Sequence, residues 1–204
     1  GKQLGRTQEA KKMAQLLLEK KGAEMKVVWQ CCVHLYSLES FLYKKINEVM
    51  RLIGDNSQEQ VWRSKIPTLG PFCLLLWDDP SNKTMKTKIT LYRGAPLTEE
   101  QIDTYRQMAE HQNEYRSFQA FTSTSRNREK AEEFGNTLFI MDVLFAFIAD
   151  ISSLSAYKEE EEELITPGVC FSVQKVEFDQ KSNKHLVYLK LRQRFSGESR
   201  CSFS

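Results

Sequence analysis

The chain has 204 residues, 41% hydrophobic and 27% charged, with a formal net charge of +2. That supplies core for one compact domain or two closely packed lobes, and the charge is too small and too evenly spread to make nucleic acid the expected partner. No apolar run approaches the ~20 residues of a membrane span, and the N-terminus as given carries no signal peptide, so a soluble monomer, cytoplasmic or secreted, is expected.

The first part reads as helices. Ala10, Met13, Ala14, Leu17 and Leu18 recur at helical spacing, as do Val28, Cys31, Cys32 and Leu35 within Met25–Ser37. A third helix is predicted over residues 38–52 on Phe41, Leu42, Ile46 and Val49, before Gly54-Asp55-Asn56 breaks the pattern. A short helix at 58–65 and a separate apolar turn at 72–77 follow, parted by prolines. Residues 78–88 are polar and read as a surface loop, which contains the sequon Asn82-Lys83-Thr84. The cysteines, Cys31, Cys32, Cys73, Cys170 and Cys201, form no C-x-x-C pair, so buried thiols are expected and no metal site.

Strands dominate afterwards. Residues 89–92 are a short β run, and Thr98-Glu99-Glu100-Gln101 is a capping box opening a helix to about His111. Residues 118–125 read as extended, 128–134 as a short helix and 137–145 as a strand. Val169, Phe171 and Val173 alternate, as do Val187, Leu189 and Leu191. The tail from Ser196 is polar. Helices first and strands second predict an α+β fold: one domain over 1–204, with a helical lobe over about 1–80 and a strand-rich core over about 88–195.

Three segments of the strand-rich part carry candidate chemistry. In Leu91-Tyr92-Arg93-Gly94, an arginine fork suited to phosphate is followed by a glycine that lets a ligand approach the backbone. Phe121-Thr122-Ser123-Thr124-Ser125 places hydroxyls on an extended segment. The run Glu159 to Glu163 has the composition of a solvated loop, yet it leads directly into the apolar strand of Leu164-Ile165. Taken singly, each segment has an ordinary structural explanation.

In their order and separation the three resemble the R-S-E signature of the ADP-ribosyltransferases, in the branch shared by arginine-modifying eukaryotic enzymes and clostridial-type toxins. The family pattern is an aromatic-Arg-Gly strand, then F-x-S-T-S, then E-x-E running into V-L-I-P-P. The likeness extends to Phe41–Arg51, similar to a helix ahead of the NAD+-binding half, and to Ala131-Glu132-Glu133-Phe134-Gly135, similar to the segment that offers a ring to nicotinamide. Residues 151–157 resemble the turn that presents the acceptor, and the whole likeness spans about 41–173.

The resemblance implies a helical lobe followed by a two-sheet β-sandwich that binds NAD+ as co-substrate, with no metal. It implies that Arg93 clamps the pyrophosphate, Gly94 offers its backbone to the nicotinamide amide, and Phe134 stacks on the ring. Ser123 would hold the catalytic glutamate, with Tyr92, Thr124 and Ser125 lining the same site. Aligning Leu164-Ile165 and Pro167-Gly168 makes Glu162 catalytic and Glu160 the first glutamate of E-x-E, leaving Glu163 where the family has valine. A register one residue off, on Glu161 and Glu163, is the alternative.

The implied reaction is dissociative: Glu162 stabilises an oxocarbenium-like ribose as nicotinamide leaves. Glu160 would hold a guanidinium acceptor, on a protein or a small molecule, and take its proton. Two other functions are compatible with these residues, an NAD+ glycohydrolase and a catalytically silent NAD+-binding or interaction module. His34, His111 and His185 fit no part of the scheme and are expected to be structural or exposed.

Overall fold

The computed structural model describes residues 5–38, 40–78 and 85–193. The chain divides into two compact units: residues 1–80 with 153–158, and residues 81–152 with 159–204. The sequon at Asn82, the tail from Ser196 and Cys201 lie outside the described residues.

The first unit contains helices α1 (Thr7–Leu18), α2 (Met25–Ser37), α3 (Phe41–Arg51) and α4 (Glu59–Asp78). Helix α3 starts later than residue 38 because Ser40 caps it, its side chain accepting from the N–H groups of Leu42 at 3.2 Å and Tyr43 at 3.4 Å. The core gathers Leu35, Tyr36, Ile46 and Leu76, all fully buried. Among them Asn47 Nδ2 donates to the Tyr36 hydroxyl at 2.7 Å, and the Tyr36 ring meets Tyr43 edge-on at 5.0 Å. Residues 153–158 belong to this unit through its helices: the Ala156 N–H donates to Ser37 Oγ at 3.0 Å, and His34 Nδ1 lies 3.1 Å from the Leu154 carbonyl.

Helix α4 corrects an expectation. The predicted short helix and separate apolar turn are one helix of 20 residues with Pro67 and Pro71 inside it. Both prolines are exposed, whereas Phe72 and Leu76, one turn apart, are buried. Each proline removes one N–H donor, but on the exposed side the freed carbonyls meet solvent, so burial of the other face carries the helix through.

The second unit contains β1 (Met85–Lys86), β2 (Ile89–Ala95), α5 (Glu99–Ala109), β3 (Arg116–Ser117), β4 (Thr122–Ser125), α6 (Arg128–Glu132), β5 (Thr137–Asp150), β6 (Glu162–Ile165), β7 (Cys170–Asp179) and β8 (Lys184–Arg192). The capping box at Thr98 and Gln101 is formed as predicted. The polar loop ends early, in β1, and the extended region at 118–125 narrows to β4 alone. Strand β5 runs five residues beyond 145, because Met85–Lys86 and then β6 pair its second half.

Hydrogen bonding links seven strands in the order β2-β4-β6-β5-β8-β7-β3, with β1 pairing β5 off this path and β2 also pairing β5. Strand β5 is therefore the shared spine. Its first half lies between β2 and β8, and its second half pairs β6 from Ile148 to Asp150. Both of its faces are covered, which explains its nearly continuous apolar sequence. Phe139, Met141 and Val143 join the larger core with Leu91, Val187, Leu189 and Leu191, while Leu138 and Ile140 meet Ala131 and Leu186 on the opposite side. The alternation predicted from Val169 holds through Val173, since Val169, Phe171 and Val173 all join the larger core, and the register with β8 shifts only between Val173 and Lys175.

Candidate functional site

Strand β4 carries the hydroxyl segment and lies between the other two motifs. Tyr92 of β2 is opposite Ser125, and Ser125 is opposite Glu162 of β6. On the same strand pair Thr124 is opposite Glu163 and Ser123 is opposite Leu164. Opposed residues share a face and successive residues alternate. Ser123, Ser125 and Glu162 thus point to one face, and Thr124 and Glu163 to the other. Glu162 is diagonal to Ser123 across the strand pair.

Arg93 ties β2 to β4 directly, its Nη1 donating to the Ser123 carbonyl at 2.6 Å. It also stands close enough to Tyr105 to act on its phenol: burial pushes Tyr105 above the ordinary tyrosine value, and the Arg93 charge opposes that rise. Phe121, at the start of the F-x-S-T-S segment, is core, with 1% exposure.

Gly94 has a packing reason of its own. A Cβ there would lie 2.0 Å from the Ala131 carbonyl oxygen and 2.4 Å from that of Phe134. Gly135, at φ +69°, is equally constrained, since a Cβ would lie 2.2 Å from the Ala95 carbonyl carbon. These two glycines let the end of α6 lie against β2. They hold Phe134 beside Gly94 and leave it 44% exposed, whereas the neighbouring Ala131 is buried.

The glutamate run is solvated only in its first part, where Glu159 and Glu161 are exposed. Lys158–Glu160 form a 3₁₀ turn, and Glu161 adopts a left-handed backbone at φ +47°. Such a conformation costs a non-glycine residue on the order of 1–3 kcal/mol and persists only when its surroundings enforce it. Glu162 and Glu163 then enter β6 at 5% and 0% exposure. The Ser125 hydroxyl donates to the carbonyl of Glu160, and its oxygen lies 3.0 Å from the carbonyl of Asn127. Thr124 Oγ1 donates to the Glu163 carbonyl at 2.8 Å. The S-T-S segment therefore fixes the backbone of the glutamate run from both faces.

The buried Glu163 carboxylate is matched by cations that the sequence did not single out. Arg126 Nη1 reaches Glu163 Oε1 at 3.1 Å and Asp150 Oδ2 at 2.9 Å, and Lys86 Nζ reaches Glu163 Oε1 at 3.3 Å. Burial still pushes the Glu163 carboxyl above the ordinary glutamate value; Lys86 opposes that, Asp150 adds to it, and Arg126 opposes it. A carboxylate at a valine position was a signal that some counter-charge must exist, but no local pattern named Arg126 or Lys86. Elsewhere, His34 and His111 are exposed and His185 Nε2 lies 3.7 Å from Glu99. Among the described residues no helix is long and apolar enough to cross a membrane.

Comparisons with known proteins identify the family and the fold. The family described as NAD:arginine ADP-ribosyltransferase matches residues 6–196. The fold is similar to that of the ADP-ribosyltransferase HopU1 of Pseudomonas syringae pv. Tomato DC3000, with TM-score 0.69 and 18% identity over 88% of this chain and 87% of that one. It is also similar to the C3 exoenzyme of Clostridium limosum (TM-score 0.59, 14% identity, 88% and 91% covered). C3stau2 of S. aureus, solved with NAD, is a further likeness (TM-score 0.57, 15% identity, 91% and 95% covered). No curated protein matches the chain in sequence. The match over nearly the whole chain identifies it: the protein belongs to the NAD:arginine ADP-ribosyltransferase family, and it transfers ADP-ribose from NAD+ to an acceptor.

Proposed function

We propose that the acceptor is a guanidinium, on a protein arginine or a small molecule, and that Arg93, Ser123, Glu160 and Glu162 are the catalytic residues. The two branches of strand that share β5 would form the two-sheet core that takes NAD+. Every one of these residues lies in the second unit. The observation that carries the reading is the common face of Ser123, Ser125 and Glu162, set against the opposite face that takes Glu163.

That division supports the register on Glu160 and Glu162. Glu163 is fully buried and held by Lys86 and Arg126, so it is poorly placed to meet a substrate. Glu162 lies on the serine face at the mouth of β6. Arg93 would clamp the pyrophosphate through a charge-assisted contact, and the exposed Phe134 ring would stack on nicotinamide. Tyr92, Gly94, Thr124 and Ser125 would complete the site, Ser125 and Thr124 by fixing the glutamates rather than by touching NAD+.

As the nicotinamide–ribose bond lengthens, positive charge develops on the sugar. Glu162 would stabilise that charge and grip the ribose 2′-hydroxyl. An arginine side chain is protonated at neutral pH and nucleophilic only as it loses a proton. Glu160 would accept that proton as the new bond forms.

Nicotinamide release measured with and without agmatine, an arginine analogue, tests this. Capture of ADP-ribose by agmatine is expected. Nicotinamide release with no capture would overturn the arginine reading in favour of hydrolysis, and stabilisation by NAD+ without any release would mark a silent binder.

A further inference from the structure

We propose that Arg126 is the positioning residue of the glutamate turn: a single guanidinium, next in sequence to the S-T-S segment, neutralises the carboxylates that crowd the left-handed peptide at Glu161, which sets the directions of Glu160 and Glu162. The inference rests on the assignment of those two glutamates as catalytic.

Arg126 grips Glu161 at two points. Its backbone N–H donates to the Glu161 carbonyl at 3.3 Å, and its Nε lies 3.5 Å from Glu161 Oε2. The same guanidinium is anchored on the far side by Asp150 and Glu163. Asp150 is in turn fixed by Ser152, whose backbone N–H and hydroxyl donate to Asp150 Oδ1 at 3.1 and 2.6 Å. Three carboxylates from β5, the turn and β6 thus converge on one cation. Without it they repel one another, and the repulsion falls on the residue whose backbone is least favourable, Glu161.

The geometry also explains how the chain accommodates Glu163. A buried carboxylate behind the catalytic strand needs counter-charge, and of the two cations that serve it, Lys86 and Arg126, the second is also the one at the turn. Ser125 secures the Glu160 carbonyl and Arg126 the Glu161 carbonyl, so consecutive residues hold consecutive peptides. Arg126 acts on the substrate only through Glu160 and Glu162, and its loss should alter their direction rather than the affinity for NAD+.

The test is steady-state transfer to agmatine by purified Arg126→Met, Arg126→Lys, Arg126→Met with Glu161→Gly, and Glu162→Ala, each with a thermal melt. Arg126→Met is expected to lower kcat about tenfold or more with KM for NAD+ within about threefold, the pattern of misplaced groups rather than lost binding. Glycine at 161 should restore part of that kcat, because it adopts the left-handed conformation unaided. Wild-type kcat in Arg126→Met, or a loss that Glu161→Gly does not relieve, overturns the proposal. Should Arg126→Met fail to fold, Arg126→Lys with and without Glu161→Gly decides it by the same criterion. An active Glu162→Ala would instead overturn the underlying assignment, so the two failures are distinguishable.

Discussion

Ser125 and Glu162 stand opposite each other across β4 and β6, and the Ser125 hydroxyl reaches the carbonyl of Glu160, two residues before its partner. The same oxygen accepts from the Asn127 N–H at 2.8 Å. One hydroxyl thus joins the end of β4, the start of α6 and the turn that carries the glutamates. Ser125→Ala should cost about 1 kcal/mol of stability for the lost hydrogen bonds. It should lower kcat for transfer more than it raises KM for NAD+. A melt and a steady-state assay on the same preparation check both, and unchanged kcat would separate Ser125 from the geometry of the turn.

Gly94 and Phe134 are neighbours with opposite predicted phenotypes. Gly94→Ala places a Cβ against two backbone carbonyls that cannot rotate away. It should destabilise the protein by about 3 kcal/mol or more, as overpacking against rigid atoms does. Phe134 is 44% exposed, so the melting temperature of Phe134→Ala should hardly move. If the ring stacks on nicotinamide, KM for NAD+ should rise about tenfold, near the upper end of what a ring–ring contact supplies.

Glu163 gives the fold a pH dependence of definite sign. Burial is the main cause of its raised value, so the folded state holds the proton more tightly than the unfolded chain. The stability this contributes is fully present below the unfolded value and is lost as pH rises through the folded one. Asp150 runs the other way. Burial pushes it up, but the Ser152 hydrogen bonds and Arg126 outweigh that and hold it low, so its contribution is present above the unfolded value and is lost as pH falls. Melting temperatures of wild type and Glu163→Gln, compared across mildly acidic to neutral pH, isolate the first effect. The wild type should lose stability relative to Glu163→Gln as pH rises, and a difference that does not vary with pH would contradict it.

Glu160→Gln tests the acceptor. The amide keeps the shape but cannot take the guanidinium proton, so transfer to agmatine should fall by roughly 100-fold, the scale of a lost general base. Hydrolysis of NAD+ should persist, because Glu162 is untouched. Equal loss of both reactions would remove the distinction between the two glutamates.

Much of this was legible locally and some of it was not. Helix α2 has the predicted ends, and the Thr98 capping box opens α5, because caps and helical periodicity are short-range signals. Arg93 and the hydroxyls of β4 are placed by their own flanking residues. Pro67 and Pro71 misled because the breaking rule considers the lost donor and not which face it is on. Composition alone would leave Glu162 and Glu163 solvated, but the apolar Leu164-Ile165 that follows marked a strand, and pairing with β4 buries both. Arg126 was invisible because its partners lie at residues 150, 161 and 163, across strand pairings that no local pattern specifies.

The most direct test of the central assignment is a parallel assay of Glu162→Ala and Glu161→Ala with NAD+ labelled in the adenylate half and agmatine as acceptor. The account predicts that Glu162→Ala loses transfer and nicotinamide release together, by about 100- to 1,000-fold, as removal of a charge-stabilising group does. Glu161→Ala should stay within a few-fold of wild type, because it removes one of the three carboxylates that Arg126 neutralises and leaves the carbonyl held by the Arg126 backbone. An inactive Glu161→Ala beside an active Glu162→Ala would contradict the assignment and move the catalytic carboxylate elsewhere in the run.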